Sequence, residues 1–210
     1  MNINNICKKI FDRLANINPT PKTELIYDSN FQLLISVMLS AQSTDKSVNS
    51  VTKILFSSYG TAEIMLNLKL LEMENLIRKI GLYHMKARNI LKTCDLIVNK
   101  FGNKVPESRE ELESLPGVGR KTANVVLNVA FNQPTIAVDT HVFRVANRTG
   151  IAKGKNPLDV EKKLIKNIPK KYLHNAHHSL VLFGRYICTK RNPKCDQCTI
   201  KNLCEYYKKI

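Results

Sequence analysis

The 210-residue sequence predicts an all-α protein. Three observations carry that expectation. Apolar residues recur at spacings of three and four along nearly the whole chain, which lines one face of a helix. No stretch alternates apolar and polar residues with the period of two that a half-buried strand needs. Serine, threonine, asparagine or aspartate stand ahead of the apolar runs and glycine follows several of them, as helix starts and stops require.

Taken in order, Ile3, Ile6, Ile10, Leu14 and Ile17 share one helical face, and Asn18-Pro19-Thr20-Pro21 ends that helix. Ser29 and Gln32 have the spacing of a capping box at the head of FQLLISVMLSA, which is apolar all round and therefore expected as a central, buried helix. Asp45 or Thr44 caps a third helix, and a short one follows Thr61. LEMENLIRKI stops at Gly81. The next helix carries Ala87, Ile90, Leu91, Cys94, Ile97, Val98 and Phe101 on one face and stops at Gly102. Ser108 and Glu111 form another capping box. LPGVG is a tight turn into a further helix, and Asp139 stands where an N-cap belongs. PLDVEKKLIKNIP starts and ends with proline, and a last long helix runs from Leu173 to Cys188.

Composition narrows the function classes. Apolar residues make up 43% of the chain, so it buries a core and is not a disordered segment. The net charge of +16 biases it toward polyanions, nucleic acid first. No apolar run approaches the roughly 18 residues of a membrane span, and the N-terminus lacks the apolar core of a signal peptide. A cytoplasmic protein without a membrane partner is expected.

Cys7 and Cys94 lie alone on apolar stripes and are expected to be small core residues. Cys188, Cys195, Cys198 and Cys204 crowd together as C-x6-C-x2-C-x5-C. Four thiolates this close suit a metal centre, zinc or iron–sulfur, and the spacing alone does not choose. The long gaps suit the larger object. The loop between the first two cysteines presents Lys190, Arg191 and Lys194, three cations on a short segment pinned at both ends. Its alternatives are a phosphate clamp and a solvated basic turn.

Gly117 and Gly119 allow the backbone after Leu115 a close approach to another surface, and the N–H groups opening the next helix would then meet an anion. Arg120 and Lys121 follow at once. Read alone, Lys121 is a phosphate-binding or solvent lysine; for it to act as a nucleophile it must be neutral, and Arg120, the positive end of the helix and partial burial are three features expected to lower its pKa.

LPGVGRKTANVVL resembles the helix–hairpin–helix motif of DNA glycosylases, and VDTHVFRV resembles the segment that carries their catalytic aspartate. Both resemble the endonuclease III family most closely, and the cysteine spacing is similar to that family's [4Fe–4S] site. The resemblance spans nearly the whole chain. It implies two helical domains, a six-helix barrel with the helix–hairpin–helix over 23–133 and an iron–sulfur cluster domain from 1–22 with 134–210, and an active-site cleft between them. It implies a bifunctional DNA glycosylase/AP lyase that removes oxidised or ring-saturated pyrimidines. Lys121 corresponds to the Schiff-base lysine, Asp139 to the catalytic aspartate and the four cysteines to the cluster ligands. Gln42, in LSAQSTD, corresponds to the residue that fills the space left by the extruded nucleotide, and Leu82, in IGLY, to an apolar wedge on the opposite strand. Gly117, Gly119, Arg120, Lys190, Arg191 and Lys194 are expected to contact DNA, and Glu113 and His141 to line the site. The partner implied is double-stranded DNA with damaged pyrimidines or abasic sites, met by a monomer on a bacterial chromosome. Adenine-mispair glycosylases share the fold but carry Ser in place of Lys121 and usually a further C-terminal domain, for which the six residues after Cys204 leave no room. A non-catalytic helix–hairpin–helix module would need the glycines but not the Lys–Asp pair.

Overall fold

The computed structural model describes residues 2–209. Among them it contains eleven α-helices, two short 3₁₀ turns and no strand. The chain divides into two units, Glu24–Phe131 and Met1–Thr23 with Asn132–Ile210.

The first unit holds seven helices: α2 (Asn30–Leu39), α3 (Asp45–Ser58), α4 (Ala62–Leu66), α5 (Leu70–Ile77), α6 (Tyr83–Asn99), α7 (Arg109–Glu113) and α8 (Arg120–Phe131). Helix α2 is the axis, as its composition anticipates. Every residue from Gln32 to Leu39 is buried, and α3, α6 and α8 pack around it. Its N-cap is Ser29, whose hydroxyl accepts from the Gln32 N–H at 3.2 Å. The capping box is displaced by one residue, because the Gln32 amide reaches back to the Asp28 N–H and not to that of Ser29. Thr44, not Asp45, caps α3. Lys69 precedes α5, and its N–H donates to Glu72.

The second unit holds α1 (Ile3–Ile17), α9 (Thr140–Thr149), α10 (Pro157–Asn167), α11 (Lys170–Tyr186) and the segment containing the four clustered cysteines. Its core joins Cys7, Ile10, Phe11 and Leu14 of α1 to Val142 and Val145 of α9, Leu164 of α10 and Leu180 of α11. Helix α11 begins three residues before Leu173 and ends at Tyr186, so Cys188 lies just past it. Gly184 lets α9 and α11 come together: a Cβ there would sit 2.9 Å from the Cβ of His141. Gly150, at φ 85°, closes α9 in the left-handed conformation that glycine adopts without strain.

Candidate active site and metal centre

In the first unit the glycine turn leads directly into α8. Gly117 has φ 81°, and a Cβ there would come within 2.8 Å of Asn89 Nδ2 on α6. Both the conformation and the neighbour demand glycine. Gly119 has no atom within 4 Å of a Cβ position, so the backbone at the mouth of α8 faces open space. Arg120 and Lys121 form the first turn of α8, and both are exposed. The partial burial expected of Lys121 is therefore absent, because its side chain leaves the helix on the face away from Ala123, Val126 and Leu127, which enter the core. Glu113 ends α7 and is exposed.

Two further residues of this unit stand out by their backbone. Gln42 (φ 56°) and Leu82 (φ 61°) are both left-handed. Among the described residues the other non-glycine positions with positive φ are Asn103, Asn132 and Asn192, and asparagine is at ease there. A glutamine or leucine in that region costs on the order of 1–3 kcal/mol, and such strain gathers at functional sites. Both side chains are exposed, Leu82 by 48%, so burial in the core does not explain either conformation.

In the second unit Asp139 is the N-cap of α9, with its Oδ1 accepting from the Val142 N–H at 2.7 Å. The cap fixes a half-buried carboxylate and leaves Oδ2 uncommitted to it. The approach to Asp139 is also fixed, since the buried His177 ring bonds the Ala137 carbonyl through Nδ1 at 2.8 Å. His141 lies in the first turn of α9, with its Nδ1 3.2 Å from Arg144 Nη2.

The four clustered cysteines line one pocket of about 340 Å³, part of it open to solvent, together with Phe183, Ile187 and Ile200. Among the described residues no three His, Cys, Asp or Glu side chains converge tightly enough to hold one metal ion. Four thiols lining one pocket of this size are a donor set that a polynuclear cluster can use. Burial, then the neighbouring thiolates, push the Cys195 and Cys198 thiols up. Holding all four ionised takes a metal's charge. The donor set thus fits an iron–sulfur group.

Two arginines that sequence reasoning missed organise this pocket from α9. Arg144 donates through Nε to the Cys188 carbonyl (2.8 Å) and through Nη2 to that of Gly184 (2.7 Å). Arg148 donates to the carbonyls of Thr189 (2.7 Å) and Lys190 (3.1 Å) and stacks on Tyr206. The only available signal was their i, i+4 spacing in VFRVANR, which places them on one helix face. Their carbonyl partners turn the backbone of the basic loop inward. Lys190, Arg191 and Lys194 are left exposed, and the Thr189 hydroxyl closes the loop on the Arg191 carbonyl at 2.7 Å.

Comparison with known proteins agrees with these features. The HhH-GPD superfamily base excision DNA repair protein profile matches residues 35–170, and the iron-sulfur binding domain of endonuclease III matches residues 188–204. The endonuclease III of Rickettsia felis is 54% identical over 202 residues, covering 96% of this chain and 95% of that protein. A solved structure of a trapped endonuclease III–DNA covalent intermediate, an estranged-adenine complex, superposes with a TM-score of 0.93 at 47% identity, covering 100% of this chain and 99% of that one. A non-covalent endonuclease III–DNA complex gives 0.94 at 46% identity, with 100% and 98% covered. With a glycine turn opening α8, a capped aspartate opening α9 and a four-cysteine pocket that fits a [4Fe–4S] cluster, this chain belongs to the endonuclease III family of base excision DNA repair proteins and is a DNA glycosylase/AP lyase.

Proposed function

We propose that the chain removes oxidised or ring-saturated pyrimidines from double-stranded DNA and cleaves the abasic site that results, with Lys121 as nucleophile and Asp139 as its carboxylate partner. The observation that carries this reading is the chemistry set at two helix starts: an exposed primary amine directly after the glycine turn, and a carboxylate held by its cap with one oxygen to spare. The neutral amine of Lys121 attacks C1′ of the extruded nucleotide. The C1′–N bond breaks, and the base leaves with the bonding pair and takes up a proton. Asp139 stabilises the positive charge that develops on the sugar and assists proton transfer. Opening of the sugar ring gives a Schiff base between Lys121 and C1′. Loss of a C2′ proton then expels the 3′ oxygen by β-elimination, and water releases the lysine.

The nucleotide must leave the stack to be reached, and the gap needs filling. Gln42 and Leu82 do this from the two sides of the lesion, which accounts for their strained, exposed placement. The open backbone at Gly119 and the start of α8 receive a phosphate, Arg120 stands beside it, and Lys190, Arg191 and Lys194 hold another stretch of backbone. Glu113 and His141 line the site. Cys188, Cys195, Cys198 and Cys204 ligate the cluster, which when bound cross-links this segment and stiffens the basic loop. The protein works as a monomer on chromosomal DNA in the cytoplasm; no helix among the described residues is long and apolar enough to cross a membrane. Borohydride trapping tests the central claim. Wild-type protein and duplexes with different pyrimidine lesions should give a covalent adduct, and Lys121→Ala none. An adduct at wild-type level from Lys121→Ala would assign the chemistry to another amine.

A further inference from the structure

Among the described residues Lys86 is the one buried lysine, at 5% exposure. Burial pushes its pKa below the ordinary lysine value. A buried ammonium is costly and persists where acceptors surround it. Its Nζ donates to the carbonyls of Leu39 at 2.8 Å and Ala41 at 2.5 Å, with Ser43 Oγ at 3.5 Å. Leu39 is the last residue of α2, where carbonyls lack partners within the helix and the dipole favours a cation. Ala41 and Ser43 stand on either side of Gln42. One ammonium therefore spends its three donors on the end of α2 and on the loop that holds Gln42 left-handed.

The backbone of the same residue closes a second turn. The Lys86 N–H donates to the Leu82 carbonyl at 3.0 Å, the first hydrogen bond of α6. Gly81, just before it, is pressed on the Gln42 loop: a Cβ there would lie 3.4 Å from the Gln42 carbonyl oxygen. Two strained, exposed residues forty positions apart in sequence thus meet through a single lysine and a glycine.

We propose that Lys86 is a positioning residue that locks the Gln42 loop to the Leu82 turn, so that both gap-filling side chains enter the duplex as one preformed unit. This rests on the assignment of Gln42 and Leu82 to the lesion gap. Without the lysine, the α2 end and the loop lose their shared cation, and Gln42 and Leu82 relax toward ordinary backbone conformations. The pair must then be ordered again each time a nucleotide is extruded, which weakens lesion binding. Binding to undamaged duplex does not need the pair in place and is spared.

A mutant cycle on the cluster-loaded protein tests this, read by affinity for lesion and undamaged duplexes and by fluorescence of a 2-aminopurine beside the lesion, which brightens as stacking is lost. Lys86→Met keeps the stem and removes the charge and all three donors. It should weaken lesion binding about tenfold and dim the fluorescence change, while undamaged duplex is bound within about twofold of wild type, a size usual for coupling between touching residues. In a Gln42→Ala/Leu82→Ala background the same substitution should add little, and Lys86→Arg should recover part of the loss. An equal loss on both duplexes, or the same loss whether or not Gln42 and Leu82 are present, overturns the inference and makes Lys86 an ordinary core residue. If Gln42→Ala and Leu82→Ala themselves leave lesion binding and fluorescence unchanged, the gap-filling assignment fails and the coupling falls with it. Should Lys86→Met lose its cooperative unfolding transition, Lys86→Gln, which retains two donors on a shorter stem, is put through the same cycle and judged by the same additivity.

Discussion

Arg148 Nη1 lies 3.6 Å from Cys188 Sγ, and the backbone carbonyl of Arg148 is 3.4 Å from Cys204 Sγ. One residue of α9 therefore touches the first and last cysteines of the cluster segment while its guanidinium holds the carbonyls of Thr189 and Lys190. Hydrogen bonds from a charged donor are worth about 1.5–3 kcal/mol each when well enclosed, and these partly exposed ones less. Arg148→Ala should retain less iron through gel filtration, seen as loss of the visible thiolate-to-iron band. Arg148→Lys should recover little, since an ammonium cannot reproduce the planar fork. Iron content equal to wild type in both variants would show that the loop is held without it.

Cys198→Ser and Cys7→Ser should separate the two kinds of cysteine. Cys198 lines the pocket, and its loss removes one of four ligands. Iron and sulfide should fall toward zero, and the protein should fold poorly. Cys7 is wholly buried in the α1 core, away from that pocket. Its serine variant should keep the cluster and lose about 1–3 kcal/mol of stability for a hydroxyl placed among apolar atoms.

Asp139→Asn keeps the size of the side chain and an oxygen for the Val142 N–H, so α9 should keep its cap. Base release should slow by about 10²–10⁴-fold, the usual cost of a lost acid–base group. On a preformed abasic site the base has already gone, and the variant should retain more of its activity there. Equal losses on both substrates would place Asp139 in the lyase step as well.

Arg191→Ala and Lys194→Ala should weaken binding to every duplex alike, because a cation held on a phosphate carries no sequence information. Removing either cation should flatten the plot of log affinity against log salt by roughly 0.9. Unchanged affinity and slope would leave the loop a solvated turn.

Asp12 gives the second unit an acid sensitivity of its own. Its carboxylate accepts from the Tyr172 hydroxyl and faces Lys8 at 3.0 Å and Lys171 at 3.6 Å. The tyrosine hydrogen bond, then that from Lys8, lower its pKa from 3.8 to about 2. A lowered folded-state pKa means stability that is present above about 3.8 and lost as pH falls toward about 2. Asp12→Asn should therefore melt lower than wild type near neutral pH, and the gap should close as the pH drops through that window. A gap that stays constant down to the lower limit would show that the carboxylate's charge contributes nothing.

Local chemistry was legible in the sequence, and pairings across the chain were not. Helix α2 announced itself because it is apolar on all sides, and Ser29, Thr61, Ser108 and Asp139 each cap the helix they precede. The cysteine segment could be assigned to metal because its ligands are neighbours in sequence. Lys86 could not be found that way. In YHMKARN it looks like any helix-surface lysine, and its acceptors on Leu39 and Ala41 lie 47 and 45 positions earlier. Arg144 was hidden for the same reason, its partners on Gly184 and Cys188 being 40 and 44 positions away. The expected burial of Lys121 failed because the glycine turn sends α8 inward by Ala123 and Val126 and leaves its first turn outside.

The order of the chain has a consequence for how the protein is made. Helices α2 to α8 form a continuous run within the Glu24–Phe131 unit, whose last residue is made well before the chain ends. Helix α1 is synthesised first, yet Cys7, Ile10, Phe11 and Leu14 pack on residues of α9, α10 and α11, and Arg13 donates to the Thr199 carbonyl at 2.7 Å. At the usual rate of synthesis its apolar stripe waits on the order of ten seconds for those partners. The cluster ligands, Cys188 to Cys204, follow later still, so the iron–sulfur centre can be assembled only after the 24–131 unit is complete.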